Sequence, residues 1–301
     1  TKVTGANISV KVDDNFMRFI DNEEKTKDYS LTRNPHTVST TANKLWKRLV
    51  YQAWKSAEPG VLFWDTVVNE SPADCYASNS FSSTSTNPCG EIPLCPYDSC
   101  RLLSINLTKF VWHPFTPEAS FDWDEFERVA YIAQKLMDDV VDLEEEKINK
   151  ILEKIENDPE PEEIKAIEKN LWIKIKSKLL EGRRTGLSGI GLADTLAACN
   201  ISYSNGITLA EEIYKQLAIS AYKSSIDMAK ERGCFLIWDI SKEKKNPFID
   251  RIFRTEVKTN FDTILLPQWI EDYTKYGRRN ISLLTIPPSG SISLLAGISS
   301  G

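Results

Sequence analysis

The feature that most restricts how this chain can fold is a long segment without periodicity, residues 69–100. It is rich in Ser, Thr, Asn, Pro and Cys, and neither a helical nor a strand repeat runs through it. A connection of this length inside a compact domain is uncommon, and it is usually either functional or disordered. The segment also carries residues that a plain linker does not need, among them Cys89, Pro93, Leu94 and Cys95. The sequence therefore predicts an ordered, functional loop.

Elsewhere, segments typical of strands alternate with segments typical of helices. Apolar spacing predicts helices over residues 41–57 and 208–232, and one long helix or two over residues 122–156. It predicts strands over residues 7–12, 61–64 and 281–286. A polar loop is expected up to about Thr40. Because strands and helices alternate along the whole chain, the sequence predicts an α/β fold.

A charged helical hairpin is predicted over about residues 142–182. Ile and Leu recur at helical spacing among Glu and Lys on both sides of Pro159 and Pro161, which interrupt the helix. Such a pattern buries one stripe of each helix and leaves the charges in solvent. We interpret the hairpin as a structural insertion.

Two glycine-containing segments suggest a close approach of the backbone to a neighbour. Gly186, Gly189 and Gly191 have the spacing G-x-x-G-x-G, which differs from the dinucleotide-binding pattern, and no phosphate-loop Lys follows. This spacing is more typical of a strand packed closely against a helix. Residues 287–293 form a Pro/Ser/Gly turn between a predicted strand and an apolar helix start, where backbone N–H groups can bind an anion.

Composition narrows the class of protein. Of the 301 residues, 41% are hydrophobic and 27% charged, the balance of a soluble globular protein, and the net charge of -6 argues against nucleic acid as the main partner. No apolar run approaches the roughly 18 residues that a membrane span needs. The chain begins at Thr1 with no signal peptide, so we expect a cytoplasmic location and an internal piece of a longer protein.

The cysteine-bearing loop suggests redox chemistry on a polar substrate. In an extended loop, Asn87, Cys89 and Glu91 would point the same way. An amide, a thiol and a base would then face one ligand, such as a polyhydroxylated substrate. Cys100 follows later in the same region and could supply reducing equivalents if the loop folds back.

Two alternatives would use the cysteines differently. A zinc-binding structural module would need closely paired ligands, but the loop contains no C-x-x-C pair, and the only histidines are His36 and His113. A Cys–His hydrolase would need a histidine to activate the thiol, whereas His113 beside Pro114 is more typical of a surface or packing residue. We therefore predict no metal site and favour redox chemistry over both alternatives.

Six segments, taken in order, resemble the catalytic (large) subunit of ribonucleotide reductases. They are residues 7–10, 59–66, 87–94, 100–107, 183–187 and 288–293. The run Asn87-Pro88-Cys89-Gly90-Glu91 looks most like the adenosylcobalamin-dependent class, in which Pro and Gly flank the cysteine. The resemblance implies that residues 1–301 form part of a ten-stranded α/β barrel made of two five-stranded parallel halves. A finger loop, here about residues 69–100, would carry the cysteine through its centre.

The resemblance also implies a role for each loop residue. Cys89 would become a thiyl radical and abstract the 3′ hydrogen of the ribose, while Glu91 would take the 3′-hydroxyl proton. Asn87 would hydrogen-bond the ribose hydroxyls, and Cys100 would be one of two thiols that reduce the substrate and end as a disulfide. The implied substrate contacts are Asn87, Pro88, Cys89, Gly90 and Glu91 in the loop, and Pro288, Ser289, Gly290, Ser291 and Ile292 at the phosphates.

The implied activity is that of a ribonucleoside-diphosphate reductase type of oxidoreductase, which makes the precursors of DNA. Adenosylcobalamin is the implied radical source, with a separate di-metal subunit as the alternative. The implied partners are a ribonucleoside di- or triphosphate, a thioredoxin-type reductant, and the N- and C-terminal parts of the same enzyme. The family's second reducing cysteine lies upstream of the segment that opens this chain. A second hypothesis is therefore a split or truncated fragment that is inactive until complemented.

Overall fold

The structure, a computed structural model, describes residues 5–21, 28–33, 36–254 and 265–300. Its helices are α1 (Asp14–Asp21), α2 (Ala42–Ser56), α3 (Trp64–Glu70), α4 (Trp123–Asn157), α5 (Glu162–Gly182), α6 (Leu192–Ala198), α7 (Ile207–Arg232), α8 (Ile240–Glu243), α9 (Pro247–Arg254), α10 (Leu265–Tyr276) and α11 (Gly290–Ala296). Its strands are β1 (Ser9–Val12), β2 (Asp28–Arg33), β3 (His36–Thr41), β4 (Gly60–Phe63), β5 (Ser85–Thr86), β6 (Pro93–Leu94), β7 (Arg101–Asn106), β8 (Val111–Trp112), β9 (Ser120–Phe121) and β10 (Thr185–Ile190). Short 3-10 helices cover Asp74–Asn79, Leu107–Phe110 and Tyr203–Asn205.

The long helices predicted from apolar spacing are confirmed as α2, α4 and α7. Polar caps set where two of them begin. The Thr41 side chain accepts a hydrogen bond from the Lys44 N–H at 3.3 Å, and the Asp122 side chain accepts one from the Glu125 N–H at 3.1 Å. Helix α4 runs unbroken until Asn157, just before the predicted breakers Pro159 and Pro161.

The main strand pairs are parallel. β1 pairs with β4, with Val12 opposite Phe63, and β7 pairs with β10, with Arg101 opposite Thr185. β2 pairs with β3 and β8 with β9, both antiparallel. Among the residues that the structure describes, the strands pair in twos and do not close into a barrel.

Two local predictions are wrong. Residues 281–286 form no regular strand, although the Leu187 N–H donates to the Leu283 carbonyl at 2.7 Å and the Thr285 N–H donates to the Leu187 carbonyl at 3.1 Å. The pairing stops there because the two prolines that follow have no N–H to donate. The polar stretch before Thr40 contains the antiparallel pair β2 and β3, whose Thr, Tyr and Val residues have a high strand propensity even without an apolar alternation.

The chain divides into two compact units. The first consists of Thr1–Ser71 and Ser85–Pro93, and the second of Pro72–Thr84 and Leu94–Gly301. The predicted finger loop is thus shared: residues 69–71 and its tip, 85–93, belong to the first unit, and residues 72–84 and 94–100 belong to the second.

Each unit has its own core. In the first, Val12 of β1, Phe16 of α1 and Ala42 of α2 are buried together. In the second, α4 packs against α7 and the β7–β10 pair, and the core includes Phe126 and Leu187. The α4–α5 hairpin buries a separate cluster around Val141, Ile148 and Leu179 and exposes charged residues. None of the helices in the described ranges is both long and apolar enough to cross a bilayer.

Candidate active site

The cysteine loop ends in a tight turn around Cys89. The Gly90 N–H donates to the Asn87 carbonyl at 3.0 Å, and the Asn87 N–H donates to the Ile92 carbonyl at 3.1 Å. The side-chain oxygen of Asn87 accepts a third bond, from the Ile92 N–H, at 3.0 Å. Gly90 has a φ of +90°, a conformation that residues with a side chain rarely adopt. These interactions fix the backbone on both sides of Cys89, whose side chain is exposed.

The extended conformation expected for this segment is wrong. Because the chain bends between Asn87 and Gly90, the side-chain alternation of a strand does not apply. The Asn87 oxygen holds the turn, and its side-chain N–H groups donate no hydrogen bond within the described part of the chain. Glu91 follows the turn and is half-buried. The turn therefore presents an amide, a thiol and a carboxylate on a bend and not along one face of a strand.

Asn7 also holds the turn, a role that the sequence analysis missed. Its side-chain N–H donates to the Pro88 carbonyl at 2.9 Å. On the β4 side, a Cβ at Gly90 would lie 3.9 Å from the Leu62 side chain. The turn is therefore placed against residues at the start of β1 and within β4. The available signal was that residues 7–10 form one of the matching segments.

Cys100 belongs to the second unit, whereas Cys89 belongs to the first. It is half-buried just before β7. A Cβ at Gly186 of β10 would approach its sulfur to 2.7 Å and the Thr285 methyl to 2.8 Å. Gly186 thus makes room for the thiol. The close packing predicted for this glycine is confirmed, although its neighbours lie on an adjacent strand and a third extended segment and not on a helix.

The remaining cysteines lie in surroundings that disfavour the thiolate. Burial raises the pKa of Cys75 to about 12 and that of Cys95 to about 11. Burial also raises the pKa of Cys199 and Cys234. These four cysteines are therefore protonated near neutral pH. In the described ranges, no group of three or more His, Cys, Asp or Glu is arranged to hold a metal ion.

A buried ion pair anchors the first flank of the finger loop. Arg278 and Glu243 are both 0% exposed, and the Arg278 Nη2 lies 2.7 Å from the Glu243 Oε1. The hydroxyl of Tyr76, in the loop, donates to the same carboxylate at 2.8 Å, and the hydroxyl of Tyr273 donates to its other oxygen. A buried carboxylate with several donors is well compensated for its loss of water. The loop flank is thereby tied to α8, α10 and the segment after α10.

The turn at 288–292 precedes the seven-residue helix α11. Ser289 is buried and its carbonyl accepts a bond from the Ser293 N–H at 2.8 Å, while Gly290, Ser291 and Ile292 are exposed. The helix start predicted here is confirmed. Because the first N–H groups of a helix have no acceptor inside it, this turn can offer donors to a ligand. Binding of the substrate phosphates stays a prediction.

Comparison with known proteins gives consistent matches over the whole chain. The family model described as "Ribonucleotide reductase, barrel domain" matches residues 1–301. The chain is 30% identical over 300 residues to a vitamin B12-dependent ribonucleoside-diphosphate reductase of Thermoplasma acidophilum, covering 98% of this chain and 31% of that protein. A protein of the same description from Mycobacterium tuberculosis strain H37Rv is 28% identical over 302 residues, covering 98% and 33%. The chain thus spans about a third of the length of these curated relatives.

Among solved structures, the class Id ribonucleotide reductase alpha subunit of Actinobacillus ureae is similar, with a TM-score of 0.59 and 20% sequence identity. The match covers 97% of this chain and 42% of that one. Together with the barrel-domain match, this likeness assigns an α/β barrel fold. The described residues contain no closed sheet, so the ten strands in two halves and the central position of the finger loop stay predictions.

Proposed function

The chain belongs to the ribonucleotide reductase barrel-domain family, and from this premise we propose that it is part of a catalytic subunit that reduces ribonucleotides to deoxyribonucleotides. The family resemblance of the six sequence segments is confirmed by the match over residues 1–301. The observation that carries the proposal is the turn that exposes the sulfur of Cys89 between Asn87 and Glu91. A thiyl radical that abstracts hydrogen must reach its substrate, and an exposed cysteine on a fixed turn allows this.

In the proposed reaction, the Cys89 thiyl radical takes the hydrogen atom from C3′ of the ribose and becomes a thiol. Glu91 accepts the proton of the 3′-hydroxyl as general base. The side-chain N–H groups of Asn87 donate to a ribose hydroxyl, since its oxygen is occupied by the turn. The 2′-hydroxyl leaves as water. Cys100 and a second thiol supply two electrons and two protons and form a disulfide. Cys89 then returns its hydrogen atom to C3′ and is again the thiyl radical, and Glu91 returns the proton to the 3′-oxygen.

The thiyl radical needs a source outside the described residues. Cys89 and the preceding Pro88 are both exposed. Gly90 has no side chain, and among the described residues a Cβ built there would meet only the Leu62 side chain, at 3.9 Å. The turn therefore leaves space for an incoming group. We favour adenosylcobalamin because the curated relatives in Thermoplasma acidophilum and Mycobacterium tuberculosis are described as vitamin B12-dependent. When bound, this cofactor supplies an organic radical able to take a hydrogen atom. Pro88, Cys89 and Gly90 would form the surface that meets it. A separate di-metal subunit is the alternative source.

We propose that the turn at Pro288–Ile292 binds the substrate phosphates. The support is its resemblance to the family segment and its position before α11, since the first backbone N–H groups of a helix have no acceptor within the helix. Because backbone groups make this contact, the local side-chain identities matter little. A thioredoxin-type dithiol is the proposed reductant, and the cytoplasmic location stays a prediction.

The proposal is tested on the complete protein that contains this chain. Ribonucleoside di- and triphosphates are offered with a dithiol reductant, with and without adenosylcobalamin, and deoxyribonucleotide formation is measured. We expect product that depends on the cofactor. Product that instead requires a separate di-metal subunit would move the radical source to the alternative, and absence of product with both sources would overturn the proposed function.

The same assay on the 301-residue chain separates the two hypotheses about its competence. Since the chain spans about a third of its curated relatives, we expect no product from the chain alone and product when the missing upstream and downstream segments are added. Turnover by the chain alone would refute the hypothesis of a fragment that needs complementation.

A further inference from the structure

A buried charged pair lies beside the proposed reductant Cys100. The side chains of Arg184 and Asp98 are 2% and 1% exposed, and the Arg184 Nε donates to the Asp98 Oδ2 at 2.7 Å. Burial disfavours the charged guanidinium, but the Asp98 carboxylate outweighs it and raises the pKa of Arg184. Arg184 is therefore a permanent cation in the second unit. Its Nη2 is buried and has no hydrogen-bond partner among the described residues. This end of the guanidinium is therefore not neutralised by a hydrogen bond to Asp98.

Strand register places Cys100 next to this cation. Arg101 of β7 lies opposite Thr185 of β10, so the residues that precede them, Cys100 and Arg184, are neighbours across the two parallel strands. The Arg101 Nη1 donates to the Arg184 carbonyl at 3.0 Å and holds the strands together at this point. The charge of Arg184 interacts with the Cys100 sulfur, and that sulfur would clash with a Cβ at Gly186, two residues after Arg184. In a strand, residues two apart lie on the same face. The thiol and the guanidinium are therefore on one face of β10.

Arg101 and Cys95 also lie close to the Arg184–Asp98 pair. Arg101 is neutralised by Glu144 of α4. Cys95 also contacts the pair, since its thiol lies 3.8 Å from the Asp98 Oδ2. There burial, followed by the charge of Asp98, outweighs Arg184 and Lys178, so the pKa of Cys95 rises. Cys100 is the second thiol of this cluster, and strand register together with the charge interaction places it beside Arg184.

We propose that Arg184 is a positioning residue that stabilises the thiolate of Cys100, and that Asp98 limits how much of this positive charge the sulfur receives. The inference rests on the proposed function, which makes Cys100 a thiol that cycles through a disulfide. When a thioredoxin-type dithiol attacks such a disulfide, the S–S bond breaks and one sulfur leaves with the electron pair as a thiolate. The external dithiol is oxidised to its disulfide, and the enzyme regains two thiols. A cation beside Cys100 stabilises the leaving sulfur.

The test is the pH dependence of iodoacetamide alkylation in the complete protein, followed peptide by peptide by mass spectrometry. Arg184→Gln is expected to move the midpoint for Cys100 to higher pH by about one unit or more, because an opposite charge has been removed. Arg184→Lys should largely restore the original midpoint. Asp98→Asn should move it to lower pH, since the carboxylate no longer offsets the guanidinium. The midpoint for Cys89 serves as the internal control and should not change.

Opposite shifts for Arg184→Gln and Asp98→Asn cannot arise from a common loss of packing, because general disorder would move both in one direction. If Arg184→Gln alone does not fold, the double variant Asp98→Asn/Arg184→Gln removes both charges and should give a midpoint above that of Asp98→Asn. An unchanged midpoint in folded Arg184→Gln, or an upward shift in Asp98→Asn, would overturn the proposal. Alkylation needs no nucleotide, radical or reductant, so failure of the proposed function would leave this result independent.

Discussion

The two cysteines of the proposed reaction lie in contrasting surroundings. Cys89 is exposed on a turn that is held by backbone and amide hydrogen bonds and that contains a glycine at a φ of +90°. Cys100 is half-buried before a parallel strand, beside a buried ion pair, in a space that Gly186 leaves open. One thiol is placed by the bend of a loop, and the other by strand register.

This contrast corresponds to two different chemical demands. A radical carrier must meet both its radical source and its substrate, which requires an open sulfur whose backbone does not move. A reductant must return to the same geometry after each disulfide, and its leaving group benefits from a nearby cation. A turn meets the first demand and a charged strand pair meets the second, so one chain can hold two thiols of the same type with separate roles.

Replacing Cys89 should have the largest effect. Cys89→Ser removes the atom proposed to carry the radical, so the complete enzyme should lose deoxyribonucleotide formation entirely. Because the side chain is exposed, folding should be preserved, as judged by circular dichroism and urea unfolding. Cys199→Ser, at the end of α6 and outside the proposed reaction, is the matched control and should keep activity. Retained reduction in Cys89→Ser would refute the radical assignment.

Replacing Cys100 should separate the two roles. Cys100→Ser leaves the proposed radical residue and its proposed base in place, so the enzyme should still abstract hydrogen, measured as loss of label from 3′-tritiated nucleotide. Multiple turnover with a thioredoxin-type dithiol should stop, because one of the two reducing thiols is missing. Steady-state turnover equal to that of the unmodified enzyme would contradict the reductant assignment and would remove the contrast between the two cysteines.

The sequence predicted the long helices and the identity of the proposed site, because both depend on local information. The stripe of α4 recurs at helical spacing, and Cys89 lies in a short segment that resembles a known family. The geometry depended on contacts that no local pattern contains. The turn is set by a side-chain bond from Asn87 to the backbone of Ile92, and Arg184 meets Asp98 across 86 positions of sequence. The strand predicted at 281–286 was wrong because its pairing with β10 stays short and the two prolines that follow have no N–H to extend it.

The buried cysteines give a smaller effect that depends on pH. Thiols of the unfolded chain ionise near pH 8.5, whereas the folded pKa of Cys75 is about 12 and that of Cys95 about 11. The folded state keeps protons that the unfolded state loses, so the free energy of unfolding should fall as pH rises from about 8.5 towards 11. Urea unfolding at several pH values measures this slope.

The control for the pH effect is the double variant Cys75→Ser/Cys95→Ser. Its unfolding midpoint should fall less steeply above pH 8.5, although Tyr76 and Tyr273, whose pKa values are also raised by burial, should still cause a decline at higher pH. If the unfolding midpoint falls equally steeply with pH in the two proteins, burial does not raise the pKa of either thiol. The distinction between the buried cysteines and Cys89 would then lose its basis.

The smallest expected effect concerns the bond that holds the turn from outside. Asn7→Ala removes the hydrogen bond to the Pro88 carbonyl at 2.9 Å, an exposed contact whose loss should cost about 0.5 kcal/mol of stability. Hydrogen exchange at the Gly90 and Ile92 amides should become a few-fold faster, and reduction by the complete enzyme should fall by a similar factor.

Asn157→Ala removes a similar exposed bond, to the Glu153 carbonyl at 2.9 Å in α4, and is the matched control. If both variants lose the same stability but Asn7→Ala alone slows reduction, the turn and not overall stability sets the reactivity of Cys89. Equal rates in the two variants would show that the hydrogen bonds within the turn suffice to hold the sulfur.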